Sequence, residues 1–167
     1  MFELSKLESP EFKLKAYKTD VCEYLRQTCA ELISMFESAG FTYDFDIPEE
    51  SIYTMIDPRQ MSRVLFNLGD NTIRYNSKGT YVTVSLNYEE EKVIILFKDN
   101  GIGIPSEVAK NIFKPFVRVD GARNSQTGGT GLGLSIAHKI IKVHSGSIKL
   151  VTDINKGCEF HIILPKI

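Results

Sequence analysis

The chain has 167 residues, 43% hydrophobic and 25% charged, which is ordinary for a soluble globular protein and enough for one domain with a proper core. Twenty Lys and Arg stand against 21 Asp and Glu, a net charge of −1, so no basic excess points to nucleic-acid binding and no like-charge run marks a membrane-surface patch. No stretch approaches the ~20 apolar residues of a membrane span, and Met1 to Lys15 lacks the apolar run of a secretory leader.

Residues 1–9 have the look of a helix end, and residues 10–18, opened by Pro10, read as a linker. Residues 20–38 are expected to be helical, with Val21, Leu25, Leu32 and Phe36 near a 3.6 period and Gly40 closing the run. Phe41 to Phe45 and Ser51 to Ile56 are short strand candidates. A helix then starts with Asp57 as cap and Pro58 at its first position. Met61, Val64, Leu65, Leu68 and Thr72 give it an apolar face, and Ser77-Lys78-Gly79 ends it. Val82, Val84 and Leu86 alternate as a half-buried strand, whereas the continuous apolar run Val93 to Phe97 suggests a strand covered on both faces. Residues 100–130 form a long glycine-bearing loop with a helical turn or two near Ser106 to Phe113. A helix from near Gly131 to Gly146 follows, and Ser147–Thr152 with Cys158–Leu164 read as a closing hairpin. The order argues for an α+β fold: a two-layer sandwich of about five mostly antiparallel strands, mixed in direction, with three helices on one face.

Three constellations carry chemistry. Asp99-Asn100-Gly101-Ile102-Gly103-Ile104-Pro105 follows the apolar strand. An aspartate there is poorly hydrated and wants a donor, such as a ligand amino group, and the glycines admit a flat ring close to the backbone. Gly128-Gly129-Thr130-Gly131-Leu132-Gly133-Leu134-Ser135 opens a helix; free N–H groups and the positive end of the dipole suit phosphate. It contains no GKS or GKT and does not follow the first strand of a βαβ unit, which excludes a Walker loop and a Rossmann fingerprint. Asn67, Asn71 and Arg74 share one helical stripe that suits a hydrated Mg²⁺ and a polyphosphate. Together the three describe one ligand, Mg-ATP. The three cysteines (Cys22, Cys29, Cys158) have no metal-ligand spacing and read as buried thiols of a reducing compartment.

On these motifs the sequence resembles the catalytic ATP-binding domain of a sensor histidine kinase, in the superfamily shared with the gyrase B subunit, Hsp90 and MutL. Asn67–Asn76 resembles the N box, Asp99–Pro105 the G1 box, Phe113-Lys114-Pro115-Phe116 the F box and Gly129–Leu134 the G2 box. The likeness runs over about residues 19–167 and implies the Bergerat-type ATP-binding fold, with a lid at about 100–130 that is mobile without nucleotide. It implies that Asp99 accepts from the adenine amine and that Gly101 and Gly103 let base and lid pack close, with Ile104 beside them. Asn71 should ligate Mg²⁺, Asn67 should lie by the phosphates, Arg74 should reach them, and Tyr75 should pack on the adenine. Arg118 should approach the γ-phosphate, Thr130, Gly131, Leu132, Gly133 and Leu134 should hold phosphates, and Phe113 and Phe116 should anchor the lid. Gly69, Thr72 and Cys158 depart from the pattern, where a larger apolar residue, Ala, and Thr or Ser are usual.

The resemblance further implies the function, transfer of the γ-phosphoryl of Mg-ATP to a histidine on a separate dimerisation domain. His138, His144 and His161 stand in no phosphoacceptor motif and read as structural. LSKLES at residues 4–9 resembles the end of that domain's second helix, so residues 1–18 are expected to be its end plus a linker, and 19–167 the catalytic domain. The isolated chain is then a monomer that binds ATP without phosphorylating itself. The complete protein would be a homodimeric sensor anchored in the bacterial membrane, with this part cytoplasmic and a response regulator downstream. The alternatives are a hydrolase of the gyrase or Hsp90 type, which would carry a glutamate base where this chain has Asn67, a degenerate nucleotide-binding interaction module, and a serine kinase of the anti-sigma kind.

Overall fold

The computed structural model describes residues 2–119 and 129–167. The mobility expected over Gly121–Gly129 therefore falls, save for Gly129, outside the described residues. In chain order the elements are α1 (Phe2–Glu8), β1 (Tyr17–Asp20), α2 (Val21–Ala39), β2 (Thr42–Asp46), β3 (Tyr53–Ile56) and α3 (Pro58–Tyr75). They continue with β4 (Tyr81–Tyr88), β5 (Lys92–Asp99), α4 (Ser106–Ala109), α5 (Gly133–Val143), β6 (Ser147–Thr152) and β7 (Cys158–Pro165).

The sheet has five strands in the order β2-β4-β5-β7-β6. Only β2 runs parallel to its neighbour; the other three pairings are antiparallel. Helices α2, α3 and α5 cover one face, so the α+β two-layer architecture is the one expected from the sequence. Val93, Ile95 and Phe97 point into that layer and are fully buried, while Ile94 and Leu96 on the opposite face are only half-buried. The expectation that this strand is covered on both faces thus fails. Its apolar outer residues are shielded by cross-strand neighbours, Ile94 facing Ile163 and Leu96 facing His161.

Two further differences concern the N-terminal half. Residues 17 and 18 do not belong to a linker: Tyr17 opens β1, which pairs antiparallel with β3 in a separate two-stranded ribbon. The strand candidates at 41–45 and 51–56 accordingly lie in different sheets, because β2 pairs with β4 across the α3 crossover. The ribbon is held to the sheet by the Thr54 hydroxyl, which donates to the Pro165 carbonyl at 2.6 Å, and by the Ile167 amide, which donates to Tyr53 at 3.0 Å.

Asp57 fixes the start of α3. Its carboxylate accepts from the Gln60 amide at 3.2 Å, the capping bond expected from the sequence, and from the Lys15 amide at 3.1 Å. Its own amide donates to Nε2 of buried His144, whose Nδ1 faces the Ile140 carbonyl at 2.7 Å. An Nε2 that accepts cannot carry a proton, so Nδ1–H donates and the ring is neutral. One junction therefore ties residue 15, the start of α3 and the end of α5.

Burial pushes the His144 pKa below its ordinary value, against the opposing pull of the Ile140 bond and the Asp57 charge. The unfolded chain then binds this proton at a higher pH than the folded chain does, so stability rises with pH through this range. The contribution is complete above pH ~6.5, the unfolded value, and is lost as pH falls below it. Half-buried His138 shifts the same way, through burial and then Lys142 and Lys139. Urea unfolding from pH 8 to pH 5 should show stability falling below pH ~6.5, by at most ~1.4 kcal/mol per pH unit for each histidine. His144→Gln should be less stable at pH 8 and show a smaller pH slope; an unchanged slope contradicts the assignment.

Candidate functional site

Helix α3 has two faces with different work. Met61, Val64, Leu65 and Leu68 bury one against the sheet and α2. Gly69 lies on this side: a Cβ there would stand 3.3 Å from Leu32 Cδ2. The glycine thus lets α3 approach α2 closely, which accounts for its place in a helix interior despite a propensity cost of about 1 kcal/mol. The other face turns Asn67, Asp70, Asn71, Arg74 and Tyr75 into an open cleft of about 220 Å³. Arg74 pairs with Asp70 at 2.7 Å, one turn away, and its Cδ lies against Gly129. Asn67 donates its Nδ2 to the Gly133 carbonyl at 3.1 Å, fastening α3 to the start of α5.

At the inner end, the cleft narrows into a recess of about 20 Å³, room for roughly one water. Asp99 stands here at the end of β5, 3% exposed. Its Oδ1 accepts from the Gly101 amide at 2.9 Å and the Cys158 amide at 3.3 Å; its Oδ2 accepts from the Thr72 hydroxyl at 3.4 Å. A carboxylate offers about four acceptor sites, so with the donors of the described residues one remains, on Oδ2. Burial pushes the Asp99 pKa above its ordinary value, opposed by these three donors. Burial also takes the Cys158 thiol up to about 11, with the Thr152 hydroxyl, 3.5 Å from the sulfur, opposing. Cys158 is therefore a neutral thiol.

The loop after Asp99 is held from both sides. The Asn76 side chain donates Nδ2 to the Thr72 carbonyl at 3.0 Å and accepts from the Ile102 amide at 2.9 Å. Across the loop, the Thr152 hydroxyl accepts from the Ile104 amide at 3.0 Å and donates to the Gly157 carbonyl at 2.7 Å. Gly103 sits in this clasp with φ +70°, and a Cβ on it would fall 1.9 Å from the Asp153 carbonyl oxygen.

At the outer end, α5 begins at Gly133 with no side-chain cap. Its first N–H groups have no partner within the helix, and Gly131, Gly133 and Leu134 line the cleft beside Arg118 and Arg74. The Thr130 hydroxyl accepts from the Leu132 amide at 3.4 Å. Positive dipole, open backbone donors and two guanidinium groups make this end a polyanion site, and the recess at Asp99 makes the other end a donor-seeking one.

The structure thus gathers the expected residues round one cleft. Asn67, Asn71, Arg74, Tyr75, Ile104, Arg118, Thr130, Gly131, Gly133 and Leu134 line its outer part, and Asp99 and Gly103 its inner part. Gly101 lies outside it, in a shallow recess with Asn76 and Asn100, and the Leu132 side chain is buried in the core. Phe113 anchors the loop as expected, stacked on His138 and edge-on to Phe160. Phe116 does not: it is 62% exposed, and its backbone makes the attachment through a 2.9 Å bond to the Gly131 carbonyl, at φ +64°. Sequence reasoning assigned no role to Asn76, Thr152 or Val119, the last of which lines both the outer cleft and the inner recess. Asn76 ends the N-box pattern and was within reach; Thr152 and Val119 carry no local signal.

The sequence matches the histidine kinase-, DNA gyrase B-, and HSP90-like ATPase family over residues 56–167. The signal transduction histidine-protein kinase ArlS of Staphylococcus aureus is 34% identical over 163 residues, 98% of this chain and 36% of ArlS. The chain therefore spans about a third of the length of the curated relatives it matches. The catalytic domain of histidine kinase ThkA superposes with a TM-score of 0.77 at 26% identity, covering 92% of this chain and 99% of ThkA's. Full-length ShkA, in complex with AMPPNP, superposes at 0.81 with 21% identity, covering 98% of this chain and 34% of its own.

The clasp round the loop makes a graded prediction. Gly103→Ala adds a backbone collision to a left-handed φ that alone costs about 1–2 kcal/mol. Gly101→Ala instead meets the end of a side chain, Asn76, rather than backbone, and its displacement costs that side chain's two hydrogen bonds. Thermal unfolding should show Gly103→Ala as the more damaging change; the reverse order contradicts the geometry.

Proposed function

The chain belongs to the histidine kinase-, DNA gyrase B-, and HSP90-like ATPase family, and on that premise we propose that it is the ATP-binding catalytic domain of a two-component sensor histidine kinase. The observation that carries this is the two-ended cleft. Asp99 offers one remaining acceptor in a closed recess, and an uncapped helix terminus with two arginines waits at the other end. A purine with an exocyclic amine joined to a polyphosphate satisfies both ends. Asp99 takes the amine, Tyr75 and Ile104 flank the base, and the α5 amides with Arg74 and Arg118 take the phosphates.

A divalent cation fits this chain only with the nucleotide as co-ligand. Among the described residues no group of three or more His, Cys, Asp or Glu could hold a metal. Asn71 on the cleft side of α3 offers an amide oxygen, and a hard cation such as Mg²⁺ typically takes one or two protein oxygens together with phosphates and waters. Bound there, it would neutralise phosphate charge. Phosphoryl transfer needs positioning and charge neutralisation more than a protein nucleophile, which agrees with the residues present. Asn67 spends its amide on Gly133, and Asp70 is paired with Arg74. Neither supports the water activation that a hydrolase of the gyrase or Hsp90 type requires.

The acceptor is a histidine on the dimerisation domain of the same kinase, to which α1 and the segment before β1 connect. No helix among the described residues is long and apolar enough to cross a membrane; the membrane anchor and the homodimer are features of the longer protein, and the response regulator is a separate partner downstream of it. Calorimetric titration with Mg-ADP should show binding by the wild type and a loss of tenfold to a hundredfold in Asp99→Asn, about the worth of one charged hydrogen bond. The chain alone should incorporate no label from γ-labelled ATP, and the added dimerisation domain should become labelled on histidine. Rapid hydrolysis by the chain alone would favour the hydrolase, and binding without phosphotransfer a degenerate module.

A further inference from the structure

Thr72 is 2% exposed and lies in the last turn of α3, although threonine is a weak helix former. Its hydroxyl donates to Oδ2 of Asp99, the same oxygen that carries the remaining acceptor site. The other two donors to the carboxylate are backbone amides, and both reach Oδ1. The Cys158 thiol, which also borders the recess, lies against the Thr152 hydroxyl. Among the described residues, Thr72 is therefore the one side chain that donates to Asp99, and it does so at Oδ2.

The protonation state of Asp99 decides which base edge the recess takes. An ionised carboxylate accepts only, and so pairs with an amine. A protonated carboxyl also donates, and so tolerates a carbonyl in the amine's place. Burial pushes Asp99 toward the protonated form; the Gly101 and Cys158 amides on Oδ1 oppose it, and the Thr72 hydroxyl opposes it at the oxygen that faces the ligand. We propose that Thr72 is a positioning residue for base selectivity: its hydroxyl holds Asp99 Oδ2 as an acceptor and thereby makes the recess select a 6-amino purine over a 6-oxo purine. The inference rests on the cleft being a nucleotide site as proposed above, and it adds the residue that sets the choice of base. Thr72 immediately follows Asn71, so the same helical turn serves the base at one end of the ligand and the phosphates at the other.

The test compares Mg-ADP with Mg-IDP, which differ at the purine 6 position in amine against carbonyl, by calorimetry. Thr72→Val removes the hydroxyl at nearly constant shape, and Thr72→Ser keeps the hydroxyl while removing the methyl. The wild type should prefer ADP by at least about tenfold. Thr72→Val should lower that ratio by about tenfold, and Thr72→Ser should preserve it. Equal weakening of both nucleotides in Thr72→Val, with the ratio intact, would mean a purely structural role and overturn the inference. So would a Thr72→Ser protein that has lost its selectivity. A wild type that binds neither nucleotide would overturn the nucleotide assignment itself, and this inference with it; a wild type that binds ADP while Thr72→Val remains fully selective sinks only the latter.

Discussion

A carboxylate taken out of water must be given hydrogen bonds, and much of the architecture round the cleft follows from meeting that demand at Asp99. Its donors come from three separated parts of the chain: the turn that follows it, the first residue of β7, and the last turn of α3. Each donor reaches it only if the turn is tight, β7 is in register with β5, and α3 lies close over the sheet. Leaving a buried donor or acceptor unmatched costs on the order of 1–3 kcal/mol, more for a charge, so the three placements are coupled through one side chain. The acceptor left over is the feature a ligand can use.

The two ends of the cleft work by different physics. The inner end is closed, fixed by short-range bonds, and demands a match in donor and acceptor. The outer end is open and acts through the unsatisfied amides of α5 and the charges of Arg74 and Arg118. Helix α3 spans both, and its two-sidedness explains its unusual sequence. Apolar residues and Gly69 seat it on α2 and the sheet, amides and charges face the cleft, and Asn76 past its end clasps the loop that follows Asp99.

The helices of the sandwich were legible in the sequence because each carries strong local signals. Asp57 and Pro58 mark the start of α3, Gly40 ends α2, and the apolar stripes have the right period. The glycine motifs and Asp99 were legible because their chemistry is written in consecutive residues. Strand β1 was not: four residues, Tyr-Lys-Thr-Asp, have no alternation to detect, and their pairing with β3 is decided by tertiary contacts. The two-sided burial expected for β5 failed because an apolar run cannot distinguish a second layer of protein from shielding by neighbouring strands. Thr72, Thr152 and His144 gained their roles from partners 27, 48 and 87 positions away, beyond any local pattern.

The position of β7 has a consequence for how the chain matures. The last strand is inserted between β5 and β6 and supplies the Cys158 amide to Asp99. During synthesis from the N-terminus, β4 and β5 can pair as a hairpin, but β5 keeps an open apolar edge until residues 158–165 have left the ribosome. The carboxylate at its end lacks one of its donors for the same period. Completion of the sheet and completion of the inner recess are thus a single late event, and a nascent chain halted before β7 has neither a closed core nor a finished recess.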